Sequence, residues 1–124
     1  MEKPLVYIIE DDEIMSDLLS GYIDDFTSPK VFHDAYAAIA AIDQETPSAI
    51  LLDILLTGPD GITFLNEIMS YEETAKIPII IITSLELNID KLENYGVVKV
   101  FNKATMKPNE IKTFVKNLVG GNHG

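Results

Sequence analysis

Five apolar stretches punctuate the chain, and each is followed by a polar break and then by apolar residues at helical spacing. The first, Pro4–Glu10 (PLVYIIE), is apolar along nearly its whole length and reads as a strand. Ile14, Met15, Leu18, Leu19, Tyr22, Ile23 and Phe26 then recur at intervals that predict an amphipathic helix over Glu13–Phe26. Acids at its start complement the helix dipole. Ser28-Pro29 breaks this pattern, and Lys30–His33 follows as a short strand. Asp34 is placed to cap a helix over Ala35–Asp43, whose Ala35, Ala38, Ile39 and Ile42 share one face, and Pro47 closes the unit.

The third strand is expected over Ser48–Asp53, a continuous apolar run that ends on an acid. Such a run suits a strand buried on both faces. Past Gly58 and Pro59, Asp60 is placed to cap a third helix with Phe64, Leu65, Ile68 and Met69 turned inward. Ile77–Thr83 is the most apolar strand and stops at a hydroxyl pair, Thr83-Ser84. Leu87–Tyr95 reads as a helix that ends at Gly96, a residue suited to a left-handed terminus. Val97–Asn102 is the fifth strand, and Lys103 follows it. Pro108 suits the first turn of a last helix whose inner face is Ile111, Phe114, Val115 and Leu118. Residues 120–124 read as a frayed tail. Strand and helix thus alternate throughout, which predicts an α/β protein with a parallel sheet, helices on both faces and right-handed crossovers. No linker or repeat divides the chain, so a single domain over residues 1–124 is expected.

Composition narrows the function classes. The net charge of −11 comes from 20 acids against nine basic residues, all of them lysine, and argues against nucleic-acid or anionic-membrane binding. No apolar run reaches the length of a spanning helix, and the first ten residues lack the form of a signal peptide. The absence of cysteine removes disulfide frameworks and thiolate metal sites. A cytoplasmic location is the expectation.

All strand ends of a parallel sheet lie on one edge, where open α/β sheets bind ligands. Glu10-Asp11, Asp53 and Thr83-Ser84 end three strands, and Lys103 leaves a fourth. Crowded carboxylates repel one another. A hard cation such as Mg²⁺ removes that conflict and can bridge a carboxylate to a phosphate oxygen. The chemistry expected at this edge is phosphoryl transfer to a carboxylate, with Asp53 as nucleophile. Asp12 and Glu13 read as helix-start charges. His33 is expected away from the acidic edge, as a structural or surface residue, and His123 falls in the tail.

Taken in order, these pieces resemble the receiver domain of two-component response regulators. The match rests on the acidic pair Glu10-Asp11, Asp53, Asp60-Gly61 seven residues on, Thr83-Ser84, and Lys103 after Gly96. It covers essentially the whole chain. The resemblance implies a flavodoxin-like (βα)5 three-layer sandwich with strand order 2-1-3-4-5. It implies that Asp53 accepts phosphoryl from a sensor histidine kinase or phosphotransfer protein. It further implies that Glu10, Asp11, Asp53 and the Leu55 backbone carbonyl serve Mg²⁺, Glu10 mainly through water. Thr83 would hydrogen-bond the phosphoryl group, and Lys103 would pair with Asp53 or its phosphate. Turnover would be limited to self-transfer and autodephosphorylation. Output would pass to another protein or a homodimer through the face made by the Leu87–Tyr95 helix, the fifth strand and the last helix.

Three positions depart from the family pattern. Thr57 stands where a proline is usual, with Pro59 two places later, so the turn after Asp53 is expected to be redrawn. Ala104 stands where a proline with a cis bond is usual. A cis bond before any other residue costs about 2.5–4 kcal/mol, so a trans bond and a differently aimed Lys103 are expected. Val100 takes the place of the switch aromatic, and Phe101 should face the other side of its strand. Two rival readings follow from other classes. A receiver fold that binds partners without turning over phosphate is favoured by Val100 and Ala104. An Mg²⁺-dependent aspartyl phosphatase is disfavoured, because Leu55 stands where such enzymes carry a second acid.

Overall fold

The structure, a computed structural model, describes residues 2–55 and 61–120. The strands are β1 (Leu5–Ile9), β2 (Ser28–Phe32), β3 (Ala49–Leu52), β4 (Ile79–Thr83) and β5 (Val97–Asn102). The α-helices are α1 (Glu13–Ile23), α2 (Ala35–Ile42), α3 (Gly61–Met69) and α4 (Pro108–Gly120). The strands form one parallel sheet in the order β2-β1-β3-β4-β5, as the resemblance implied.

Alternation of side chains splits the core in two. Val6 and Ile8, Ala49 and Leu51, and Ile80 and Ile82 pack on one face against Leu19 and Ile23 of α1 and Ile111 and Val115 of α4. Tyr7 and Ile9, Ile50 and Leu52, and Ile79 and Ile81 pack on the other, against Ala38 and Ile42 of α2 and Phe64, Leu65 and Ile68 of α3. The central strands β1, β3 and β4 are almost wholly buried, which explains their unbroken apolar sequences.

Besides one-residue differences at the ends of β1, α2 and β3, four elements differ from the sequence expectation for local reasons. Ser28 and Pro29 belong to β2, because β2 is an edge strand and tolerates a residue without an N–H. Helix α1 stops at Ile23 and not at Phe26, since the Thr27 hydroxyl and amide both donate to the Ile23 carbonyl and close the last turn. β4 begins at Ile79, just after Pro78. The helix expected over Leu87–Tyr95 is absent as an α-helix. Two 3₁₀ turns, Ile89–Lys91 and Glu93–Tyr95, stand in its place. Asn88 accepts from the Asp90 N–H and holds an extended backbone, and Ile89 and Leu92 are three apart, a spacing that fits the tighter turn. Gly96 does take the left-handed conformation at φ 79°, as expected.

Candidate functional site

β1, β3 and β5 each deliver one charged residue to the carboxyl edge of the sheet. Glu10 follows Val6 and Ile8 in alternation, Asp53 follows Ala49 and Leu51, and Lys103 follows Phe101, so all three continue the face that packs on α1 and α4. The residue after Glu10, Asp11, opens the loop into α1.

The three acids Glu10, Asp11 and Asp53 offer carboxylate oxygens that lie within 4.8 Å of one another. Glu10 and Asp53 are buried, and Asp11 is exposed at the mouth. Lys103 reaches across to them: its Nζ lies 2.6 Å from Glu10 Oε1 and 3.0 Å from Asp53 Oδ2. The other oxygen of Asp53, Oδ1, accepts from the Leu55 N–H at 3.0 Å. The other oxygen of Glu10, Oε2, accepts from the Asp12 N–H at 3.1 Å. Asp12 itself caps α1, accepting from the Ile14 and Met15 amides at 2.9 and 3.2 Å. Its place in the sequence suggests a helix-start charge, and the structure makes it the cap of α1. Asp34 caps α2 in the same way, through the Ala37 N–H at 2.8 Å.

Electrostatics at the site are set by burial. Loss of solvent raises the Glu10 carboxyl above its ordinary range; the Lys103 ammonium and the Asp12 N–H pull it back, and the Asp53 charge pushes it further up. Burial alone would lower Lys103, but the Glu10 and Asp53 carboxylates outweigh it and hold the ammonium above its ordinary value. Three carboxylates against one ammonium leave an all-oxygen site two charges short of neutrality, and Glu10 Oε1 meets Lys103 outside hydrogen-bond geometry. This donor set fits a hard divalent cation.

The Lys103–Ala104 bond is trans, yet Lys103 still reaches Asp53, so the expectation that it would aim elsewhere is corrected. Asn102 shapes that loop. Its side chain accepts from the Ala104 N–H at 2.8 Å, its carbonyl accepts from Thr105 and Met106, and Lys103 N–H is tied to the Thr83 carbonyl at 2.8 Å. Thr83 ends β4 fully buried, and its hydroxyl oxygen accepts from the Leu85 N–H at 3.2 Å. Val100 packs toward the α2–α3 side while Phe101 lies on the opposite face, edge-on to Phe114. His33 was misread. Its Nδ1 lies 3.0 Å from the Glu10 carbonyl, so it stands at the acidic edge. Its sequence signal was its place directly after an edge strand that pairs with β1. The expected cap Asp60, the loop residues Thr57 and Pro59, and the tail 121–124 with His123 lie outside the described residues.

A family model described as the response regulator receiver domain matches residues 6–116. The chain belongs to that family. It is a receiver domain of two-component systems, and it carries the acidic cluster Glu10, Asp11 and Asp53. This receiver is 31% identical over 90 residues to the transcriptional regulatory protein BaeR of Escherichia coli O6:H1, covering 72% of this chain and 36% of that protein. The chain spans about a third of the length of the curated relatives it matches. Among solved structures, the receiver superposes on a response regulator from Chloroflexus aurantiacus with a TM-score of 0.83 at 22% identity, covering 95% of this chain and 98% of that one. It superposes on the receiver domain of the sensor histidine kinase PA1611 from Pseudomonas aeruginosa, a structure with magnesium in its cleft, with a TM-score of 0.82 at 21% identity and coverage of 95% and 98%. Among the described residues no helix is long and apolar enough to cross a membrane.

Proposed function

We propose that this receiver accepts a phosphoryl group on Asp53 from a phosphohistidine of a sensor kinase or phosphotransfer protein, in the presence of Mg²⁺. The observation that carries the reading is the convergence of Glu10, Asp11, Asp53 and Lys103 from separate loops on one sheet edge. A carboxylate oxygen of Asp53 attacks phosphorus, the bond from phosphorus to the donor imidazole breaks, and the imidazole leaves with its electron pair and takes up a proton. Lys103, already on Asp53 Oδ2, offers positive charge to the oxygens of the transferring group. Glu10, Asp11 and Asp53 would hold the cation, with the Leu55 carbonyl as a further ligand; the clustering of the three acids supports this set, and the magnesium in the cleft of the similar receiver supports a cation there. When bound, Mg²⁺ supplies charge neutralisation between carboxylate and phosphate oxygens. Thr83 would turn its hydroxyl from Leu85 toward the new phosphoryl group.

The module is no enzyme beyond self-transfer and autodephosphorylation, and the described residues belong to one receiver domain. Its compartment is the cytoplasm, where a histidine kinase would present its phosphodonor. The phosphorylated form would switch a face built from the two 3₁₀ turns, β5 and α4, and so engage an output protein or a second copy. No contact with nucleic acid or membrane is expected of this domain. The test is incubation with Mg²⁺ and a small phosphodonor followed by intact mass. One phosphoryl adduct on the native chain and none on Asp53→Asn supports the reading. No adduct on the native chain, or an equal adduct on the variant, overturns it.

A second reading, a receiver that binds partners without phosphate, is favoured by Val100 alone of the site's neighbours. Val100 lines a groove with Leu85, Leu87 and Ile89, and among the described residues no aromatic ring lines it. Amide shifts at those residues on adding Mg²⁺ and a phosphoryl mimic support the switch; shifts confined to Glu10, Asp11 and Asp53 support the second reading.

A further inference from the structure

Glu10 is held from both sides of its backbone by the end of β2. Its N–H donates to the Phe32 carbonyl at 2.9 Å, and its carbonyl lies 3.0 Å from His33 Nδ1. A carbonyl only accepts, so Nδ1 carries the proton and the neutral ring is the Nδ1–H tautomer. In a parallel ladder the donor to the Glu10 carbonyl would be the backbone N–H of Asp34, one residue past the position opposite Glu10. Asp34 lies past the end of β2 and, still extended at φ −148° and ψ 160°, caps α2 through its side chain. The His33 imidazole therefore supplies a side-chain rung exactly where the sheet ends and the acidic loop begins.

That carbonyl belongs to the peptide joining Glu10 to Asp11. Rotation of this peptide would swing Asp11 relative to Glu10 and Asp53. On its far side the loop is anchored by the Asp12 N–H on Glu10 Oε2 and by Asp12 capping α1. The exposed Asp11 thus lies between one anchor on α1 and one on His33.

We propose that His33 is a positioning residue for the cation site: its Nδ1–H fixes the Glu10–Asp11 peptide so that both carboxylates converge on Asp53. The inference rests on the reading of these acids as an Mg²⁺ site. It touches neither cation nor phosphoryl group, and its effect passes through the peptide it holds. Asparagine can set an amide N–H near the place of Nδ1; leucine fills the space without a donor; glutamine carries its amide farther out.

The test is calorimetric titration of Mg²⁺ into the native chain, His33→Leu and His33→Asn, with urea midpoints in Mg²⁺-free buffer, and the histidine tautomer read from ¹⁵N side-chain spectra. One neutral hydrogen bond corresponds to roughly a three- to tenfold change in affinity. His33→Leu should weaken Mg²⁺ binding by about that factor with little change in its urea midpoint, His33→Asn should stay within about twofold of native, and the native ring should be the Nδ1–H tautomer. If His33→Leu fails to fold, His33→Gln takes its place and should bind Mg²⁺ more weakly than His33→Asn. An Nε2–H tautomer, equal weakening by every variant, or binding indifferent to position 33 overturns this inference alone. A native chain that binds no Mg²⁺ overturns the metal reading and this inference with it.

Discussion

Lys103 stands closer to Glu10 than to Asp53: its Nζ is 2.6 Å from Glu10 Oε1 and 3.0 Å from Asp53 Oδ2. The ammonium is shared, and its nearer partner is the more deeply buried acid. Lys103→Met keeps much of the stem and removes the charge. A charge-assisted contact of this kind is worth about 1.5–3 kcal/mol, and stability in Mg²⁺-free buffer should fall by that order. Mg²⁺ should restore part of the loss by binding the folded state, and bind more tightly than to the native chain because the site is more negative. Urea denaturation with and without Mg²⁺ checks both statements; a midpoint unchanged in Mg²⁺-free buffer contradicts the first.

Glu10 and Lys103 also set the pH response. The folded-state pKa of Glu10 is raised by burial, so the folded protein holds this proton more tightly than the unfolded chain. Its contribution is fully present below the ordinary glutamate pKa and is lost as pH rises through the raised value. Glu10→Gln should flatten the stability profile in that window. Mg²⁺ competes with the same proton, so its affinity should begin to fall, on acidification, at a higher pH than for an ordinary carboxylate. Lys103 is likewise raised; its contribution is present below the ordinary lysine pKa and is lost in strong alkali. Denaturation midpoints and Mg²⁺ titrations across pH measure these effects.

Gly61 opens α3 with no room for a side chain. A Cβ there would lie 2.5 Å from Ile54 Cα, and the Gly61 N–H donates to the Ile54 carbonyl at 3.1 Å. The obstacle is the backbone of Ile54, the residue next to Asp53. Gly61→Ala should cost about 1–3 kcal/mol and disturb Mg²⁺ binding, read by thermal melts and titration.

Ala104→Pro would install the residue usual in the family, and here it should harm. The Ala104 N–H that caps onto Asn102 Oδ1 at 2.8 Å would be lost. A loss of about 1 kcal/mol is expected, matched by Asn102→Ala, and the two together should lose little more than either alone. Additive losses in chemical denaturation would contradict this.

Asp12→Asn separates cap from ligand. Asparagine caps as well as aspartate, so stability should change by only a few tenths of a kcal/mol and Mg²⁺ affinity by less than about threefold. A loss of Mg²⁺ binding as large as that of Asp11→Asn would make Asp12 a ligand.

Most elements were legible because periodicity reports burial directly. The unbroken runs at Val6–Ile9, Ile50–Leu52 and Ile79–Ile82 match strands buried on both faces, and the three- and four-residue spacing in α1, α3 and α4 marks one buried face each. Leu87–Tyr95 shows where that logic fails. Its apolar residues satisfy a helical template, but the Asn88 side chain competes for the backbone by accepting from the Asp90 N–H, and two 3₁₀ turns form in place of an α-helix. The sequence pattern starts β2 late, at Lys30, because proline breaks a strand except at an edge, and which strand lies at the edge is a tertiary fact.

The sequence by itself determined the alternation of strands and helices, the acids at the ends of β1 and β3, the Asp34 cap, and the opposite facing of Val100 and Phe101. These depend on residues near one another along the chain. Only the tertiary structure decided that Lys103 bridges two acids across a trans bond, and that His33 closes on the Glu10 carbonyl. Both contacts join residues far apart in sequence, and their geometry follows from parallel register and loop direction, which side-chain pattern along a single strand does not encode.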